Sequence, residues 1–116
     1  VQISRVVTNL LTNAMRHNDQ GIRIMLCLFR QEGVIHLMVA DSGSVIPKDL
    51  EEHLFEPFAR GDASRKSSGG SGLGLSIARK VVEMHGWRMK LVQQPQIQHY
   101  PFVAKYAKAF LIQIKE

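Results

Sequence analysis

The sequence predicts a two-layer α/β sandwich, in which helices cover one face of a mixed β-sheet. One observation behind this prediction is that hydrophobic patterns of helical and strand periodicity follow each other along the chain. A second is the length of 116 residues, which fits one domain. A third is the composition, 45% hydrophobic and 22% charged, which is typical of globular domains and excludes disordered and collagen-like chains.

The elements follow from the spacing of apolar residues. Apolar side chains three and four positions apart predict amphipathic helices, and alternation predicts strands, the first two joined as a hairpin. Serine and glycine predict a loop over 55–72, and two prolines predict another over 93–101. The predicted helices cover 2–17, 47–54 and 73–85, and the predicted strands cover 22–29, 34–40, 88–93 and 103–114.

Charge and cysteine content narrow the functional classes. The net charge is +5, but the basic residues are scattered apart from Arg60, Arg65 and Lys66, so a nucleic-acid-binding domain rests on net charge alone. The single cysteine, Cys27, excludes a disulfide framework and a zinc cluster built on thiolates. No apolar run approaches the roughly 18 residues of a membrane-spanning helix, so we expect a soluble domain.

Two asparagines, Asn9 and Asn13, form a polar stripe with Arg16 at the edge of the apolar face of the first predicted helix. Asparagine carbonyl oxygens can bind Mg²⁺ beside substrate phosphates and water. Each asparagine lowers helix propensity by roughly 0.5 kcal/mol relative to alanine, which favours a functional reason for the pair. The stripe alone is explained equally well by a solvated helix face.

Asp41 follows a strand that should be buried, and Gly43 comes two residues later. A carboxylate at such a strand end can accept a hydrogen bond from an exocyclic amine such as that of adenine. Taken alone, an Asx turn or a helix cap before Pro47 is the more common explanation. Further along, Phe55-Glu-Pro-Phe58 predicts a compact hydrophobic anchor for the loop that follows.

The glycine-rich segment 69–74 opens the third predicted helix, where backbone N–H groups can bind phosphates. A dinucleotide-binding fingerprint is excluded because a serine-rich loop, not a strand, precedes the glycines. A P-loop is excluded because Leu75 stands where lysine is required.

In order and spacing these clusters resemble the catalytic, ATP-binding domain of sensor histidine kinases, which has the Bergerat ATP-binding fold. The resemblance covers residues 1 to about 92, and it implies that residues 1–116 form a single domain. It assigns an N box to 5–17, a G1 box to 41–46, an F box to 55–60, an ATP lid to 59–71 and a G2 box to 69–75.

The resemblance implies a role for individual residues. Asn9 would bind Mg²⁺ and act in catalysis with Arg60 and Arg65, whose guanidinium groups suit phosphates. Asp41 would accept the adenine amino group. The other residues implied in ATP binding are Asn13, Arg16, His17, Gly43, Gly70, Ser71, Gly72, Leu73 and Gly74.

The implied activity is a protein-histidine kinase that transfers the γ-phosphoryl group of ATP to a histidine on a dimerisation domain. Arg5 stands where hydrolytic members of the superfamily carry a glutamate, which favours a kinase. None of the five histidines is expected to be the acceptor. We expect an N-terminally truncated fold that lacks the dimerisation domain and is inactive alone.

The implied partners are the dimerisation domain of the same kinase and, through it, a response regulator of bacterial two-component signalling. Neither nucleic acid nor direct membrane contact is expected. The implied location is the cytoplasmic side of the cell membrane, to which the full-length kinase would be anchored.

Two departures from the family pattern support an alternative function. Val45 occupies the second glycine position of the G1 box, where a β-branched residue disfavours positive φ. Residues 104–110 replace the Gly-x-Gly-Thr segment before the last strand. The alternative is a degenerate module that binds ATP weakly or not at all and regulates or binds a partner.

Overall fold

The computed structural model describes residues 2–16, 21–56 and 74–115. The elements are α1 (Gln2–Arg16), β1 (Ile24–Gln31), β2 (Val34–Asp41), α2 (Lys48–Glu51), α3 (Gly74–Met84), β3 (Arg88–Gln93), two 3₁₀ helices (Gln96–His99 and Pro101–Val103) and β4 (Lys108–Lys115). In this part of the chain no helix is long and apolar enough to cross a membrane.

The four described strands form one sheet in the order β1-β2-β4-β3. The predicted α/β fold is confirmed, but the prediction of a mixed sheet is not met among these strands, because all three pairings are antiparallel. The last strand lies between β2 and β3, and it runs opposite to both. Periodicity predicted each strand separately and carried no information about its neighbours.

The predicted hairpin between β1 and β2 is confirmed. Gln31 pairs with Val34, so the turn consists of Glu32 and Gly33. Both turn residues have positive φ, 54° and 77°, the arrangement of a type I′ turn. This turn fixes which side chains of the two strands share a face.

The main core lies between α1, α3 and one face of the sheet. Val6, Leu10 and Ala14 of the predicted apolar stripe of α1 are buried there, whereas Met15 is exposed. On α3 the predicted apolar face is wrong: Ile77 and Met84 are exposed, and the buried face is formed by Leu75, Ala78 and Val82. Alternate residues of the central strands complete this core, because side chains on a strand point to opposite faces in turn. Its buried members are Val6, Leu10, Val39, Leu54, Leu75, Ala78, Val82, Met89, Phe110 and Ile112.

The opposite face of the sheet is also covered, as the nearly continuous apolar sequence of β2 predicts, although helices were predicted on one face only. Residues 94–107, predicted in part as a loop, include both 3₁₀ helices. Ile97 and Val103 are fully buried there against Met38 and Leu111. The fourth strand consequently begins at Lys108 rather than at residue 103. Aperiodic sequence gave no signal for this short apolar cover.

Other boundaries shift by a few residues. The first strand begins at Ile24 rather than at residue 22, and the short helix ends at Glu51 rather than at residue 54. The third strand agrees with its prediction. Most of the predicted loop over 55–72 lies outside the described residues.

Candidate nucleotide-binding site

Asp41 is the last residue of β2, and it is 2% exposed. Its Oδ1 accepts a hydrogen bond from the backbone N–H of Gly43 over 2.9 Å. This contact forms an Asx turn, which the sequence offered as the structural explanation of the motif. The turn fixes the carboxylate at the end of the strand. Nucleotide binding by this carboxylate stays a prediction.

Lys108 lies opposite Asp41 in the register of β2 and β4. It is 6% exposed, and its Nζ donates to Asp41 Oδ1 over 2.9 Å and also to the backbone oxygen of Ser44. Burying a charge is costly unless it is paired, and here each charge neutralises the other. The sequence pattern gives no signal for Lys108, because only the strand register places it opposite Asp41.

The loop after Asp41 is held by side chains from other elements. The amide of Gln93 spans the backbone of Ile46: its Oε1 accepts from the N–H over 2.6 Å, and its Nε2 donates to the carbonyl over 3.2 Å. At the start of the loop, Ser42 Oγ accepts the N–H of Arg23 over 2.7 Å. The loop is therefore fastened to β3 and to the segment preceding β1. Gln93 was not predicted as a site residue either.

Val45 fits this loop without left-handed backbone. Within residues 2–16, 21–56 and 74–115, positive φ occurs at three glycines and at Glu32. Val45 lies outside that set, and its side chain is half exposed. The loop thus follows a backbone path that does not need the second glycine of the family pattern.

Asn9 and Asn13 lie on α1, as predicted, and both are half-buried. They are about 6 Å apart along the helix axis, and they adjoin the buried face formed by Leu10 and Ala14. Arg16, the last residue of α1, is exposed. The described residues contain no group of three or more His, Cys, Asp or Glu side chains placed for a metal ion. The asparagine amides still fit Mg²⁺, which accepts one or two protein oxygens beside phosphates and water.

Phe55, the first residue of the segment predicted as a hydrophobic anchor, packs against the core. The ring of Phe55 packs edge-on against Phe110, with centroids 6.1 Å apart. The Arg79 guanidinium lies 4.6 Å from the centroid of the same ring, within range of a cation–π interaction. Phe55 therefore connects the end of this segment to β4 and α3.

The remaining predicted site residues divide in two groups. Gly74 is the first residue of α3, where backbone N–H groups of a helix are unsatisfied by the helix itself. The predictions for His17, Arg60, Arg65, Gly70, Ser71, Gly72 and Leu73 lie outside the described residues.

The described histidines have structural contacts. His36 is buried and stacks on Phe29 with centroids 5.0 Å apart, and its pKa is lowered, first by burial and then by Lys90. His53 is exposed, and the carboxylate of Glu56, 2.9 Å away, raises its pKa. His85 stacks on Trp87 at 4.6 Å.

Known proteins that are similar to this chain belong to the same family that the motifs indicate. The profile of the family described as "Histidine kinase-, DNA gyrase B-, and HSP90-like ATPase" matches residues 1–107. The alginate biosynthesis sensor protein KinB of Pseudomonas aeruginosa is 40% identical over 95 residues, 82% of this chain and 16% of KinB. The chain thus spans a small part of that relative's length.

Two solved structures share the fold. The mycobacterial sensor histidine kinase MprB superposes with a TM-score of 0.74 at 31% identity, covering 95% of this chain and 69% of that one. The histidine kinase ThkA, in complex with the response regulator protein TrrA, gives a TM-score of 0.68 at 26% identity, covering 97% of this chain and 28% of that one.

Proposed function

The chain belongs to the family of histidine kinase-, DNA gyrase B- and HSP90-like ATPases, and we propose that it binds Mg-ATP and donates the γ-phosphoryl group to a histidine of a partner dimerisation domain. Its similarity to sensor kinases supports this choice within the family. The observation that carries the proposal is the buried carboxylate of Asp41, fixed at the end of β2 by the N–H of Gly43.

Asp41 would recognise the adenine base. An ionised carboxylate is a hydrogen-bond acceptor and never a donor, so it favours a base that presents an amino group. The described side-chain and backbone contacts to this carboxylate, from Lys108 and Gly43, both fall on Oδ1. We therefore assign the bond from the amino group to Oδ2.

Asn9 and Asn13 would position the triphosphate. The amide oxygen of Asn9 would hold Mg²⁺, which neutralises phosphate charge, and Asn13 would contact the metal and phosphates. The N–H groups at the start of α3 favour anions, so Gly74 would lie beside the phosphate tail. The other proposed phosphate or nucleotide contacts are Arg16, His17, Arg60, Arg65, Gly70, Ser71, Gly72 and Leu73.

The chemical step needs little covalent participation by this domain. A nitrogen of the partner's neutral imidazole would attack the γ-phosphorus, and the bond to the β–γ bridging oxygen would break. The products are phosphohistidine and ADP, and the imidazole proton passes to solvent. The domain contributes alignment and charge neutralisation. Arg5, exposed on α1, is no general base for water, which supports transfer rather than hydrolysis.

The partners follow from this chemistry. The acceptor histidine would belong to a dimerisation domain of the same kinase, and a response regulator would receive the phosphoryl group from it. The ThkA–TrrA complex supports a response regulator as the second partner. We place this activity on the cytoplasmic side of the membrane, where ATP is available.

A calorimetric titration with ATP, with and without Mg²⁺, tests the proposal. We expect ATP to bind, and Asp41→Asn to weaken binding by about three- to tenfold, the equivalent of one hydrogen bond. The matched control is Asp49→Asn, which removes an exposed carboxylate of α2 and should leave affinity unchanged. Asn9→Ala should abolish the contribution of Mg²⁺. Absence of binding by folded protein would overturn the proposal.

A second candidate function, a degenerate regulatory module, is favoured by one observation. The carboxylate that adenine recognition needs is already paired with Lys108. In that case the Asp41–Lys108 pair would serve only to hold the loop, and the same titration would give no heat while the protein remained folded.

A further inference from the structure

We propose that Lys108 lowers the preference of this site for a 6-aminopurine over a 6-oxopurine, and that it thereby determines which purine bases the site accepts. This inference rests on the proposed nucleotide-binding function and goes beyond it, since it concerns which purines are accepted. Its basis is a buried ammonium within hydrogen-bond distance of the carboxylate that would read position 6 of the base.

The position of Lys108 is imposed by the sheet. Asp41 and Lys108 are directly paired across β2 and β4, and the N–H of Ala107 donates to the backbone oxygen of Asp41 over 3.0 Å. Both side chains are more than nine-tenths buried. An ammonium in this setting cannot withdraw to solvent without a change in strand register or loop path, so it remains beside the carboxylate when a ligand arrives.

The loop holds the ammonium from the other side. Nζ also donates to the carbonyl of Ser44, in the loop that Gln93 fastens to β3 through Ile46. Moving Lys108 away would therefore break a charge-assisted hydrogen bond and release a backbone contact of the same loop. A neutral purine amino group is a weaker donor to the carboxylate than the ammonium is, so it does not displace Lys108.

The consequence for recognition is electrostatic. An unpaired carboxylate attracts an amino group and repels a carbonyl oxygen, so it discriminates strongly between adenine and a 6-oxopurine. A carboxylate paired with an ammonium has little net charge. It therefore attracts an amino group less strongly and repels a carbonyl oxygen less strongly. Sharing Asp41 with Lys108 thus lowers the affinity for ATP and lowers the penalty for a 6-oxo group.

The test compares binding of ATP and inosine triphosphate, which carries a carbonyl oxygen in place of the amino group. For the unaltered chain we expect ATP to bind more tightly than inosine triphosphate, by less than about tenfold. A carboxylate that is not shared with an ammonium would give a preference of at least about tenfold. In Lys108→Thr, which removes the charge, the ratio should rise by about fivefold or more, with tighter ATP binding. Lys105→Met is the matched control, because it removes an exposed lysine three residues away and should leave the ratio unchanged.

The outcomes separate the two proposals. If ATP binds and the ratio is the same in the unaltered chain and in Lys108→Thr, the specificity role is wrong and the proposed function stands. If no folded variant binds either nucleotide, the proposed function fails and the specificity role fails with it. If Lys108→Thr does not fold, the unaltered chain decides alone: a preference for ATP above about tenfold overturns the inference, and a smaller one supports it.

Discussion

Two regions of the sheet bury polar side chains in different ways. At the end of β2, Asp41 is neutralised by Lys108, and Gln93 binds the backbone of Ile46, so the polar groups hold a loop in place. On the opposite face, His36 lies among aromatic rings, 5.0 Å from Phe29 between centroids. In the first region, a buried ion pair and a side-chain amide determine the path of the loop. The second is a mainly apolar cover, in which His36 is buried against aromatic rings.

The largest expected effect is on the charged region. Asp41→Ala leaves the Lys108 ammonium buried without its counterion, and it should lower the free energy of unfolding by about 3–5 kcal/mol. The double variant Asp41→Ala, Lys108→Met should recover a large part of that loss, because neither charge then remains. Urea unfolding of the single and double variants measures both values. Equal losses in the two would show that the charges do not interact in the folded protein.

The next effect concerns the core beneath the helices. Leu10 lies on the face of α1 that packs on the sheet, and it is 1% exposed. Leu10→Ala should therefore lower the free energy of unfolding by about 3 kcal/mol, through lost burial and a cavity. Leu28, on the edge strand, is 65% exposed, and Leu28→Ala is the matched control, with an expected change below about 1 kcal/mol. Similar losses at both positions would contradict the packing of α1 described above.

A smaller effect tests the cover on the opposite face. Ile97 is fully buried in the first 3₁₀ helix, and Ile97→Val removes one methylene from that contact. The expected loss is about 1 kcal/mol in the free energy of unfolding. Val45→Ala, at an exposed position of the loop after Asp41, should change stability by less than about 0.5 kcal/mol. An Ile97→Val variant as stable as the original would mean that this segment does not pack on the sheet.

The last effect is the pH dependence of stability that His36 contributes. Burial lowers its pKa below the value of about 6.5 in the unfolded chain, so unfolded protein binds the proton first. Stability should therefore fall as pH drops below about 6.5, by at most about 1.4 kcal/mol per pH unit. His53 acts in the opposite sense, since Glu56 raises its pKa and its contribution is lost as pH rises.

The control for this pH effect is His36→Phe, which keeps a ring against Phe29 and cannot titrate. Thermal melts between about pH 5 and pH 8 should show a shallower dependence in that variant. The same dependence in both proteins would assign the proton to another group.

The sequence predicted those parts of the molecule that depend on local pattern. The amphipathic stripe of α1 and the Glu32–Gly33 turn depend on residue types at short spacing, and both are present. The boxes also led to the correct family. These features need no knowledge of which strands are neighbours.

What the sequence left out depends on long-range pairing. Lys108 meets Asp41 from 67 positions away, and Gln93 meets Ile46 from 47 positions away. Neither contact has a local signature, because strand order and register decide which side chains face each other. The cover formed by Ile97 and Val103 was missed for a related reason: short 3₁₀ turns give no periodic pattern.

A nuclear magnetic resonance titration of the ¹⁵N-labelled chain with Mg-ATP tests nucleotide binding at this site. We expect shifts of the Gly43 backbone amide and of the side-chain amides of Asn9 and Asn13, with Ile97 and Tyr100 unaffected. Shifts confined to the face covered by Ile97 and Tyr100, or none at saturating nucleotide, would contradict a nucleotide site between α1 and the end of β2.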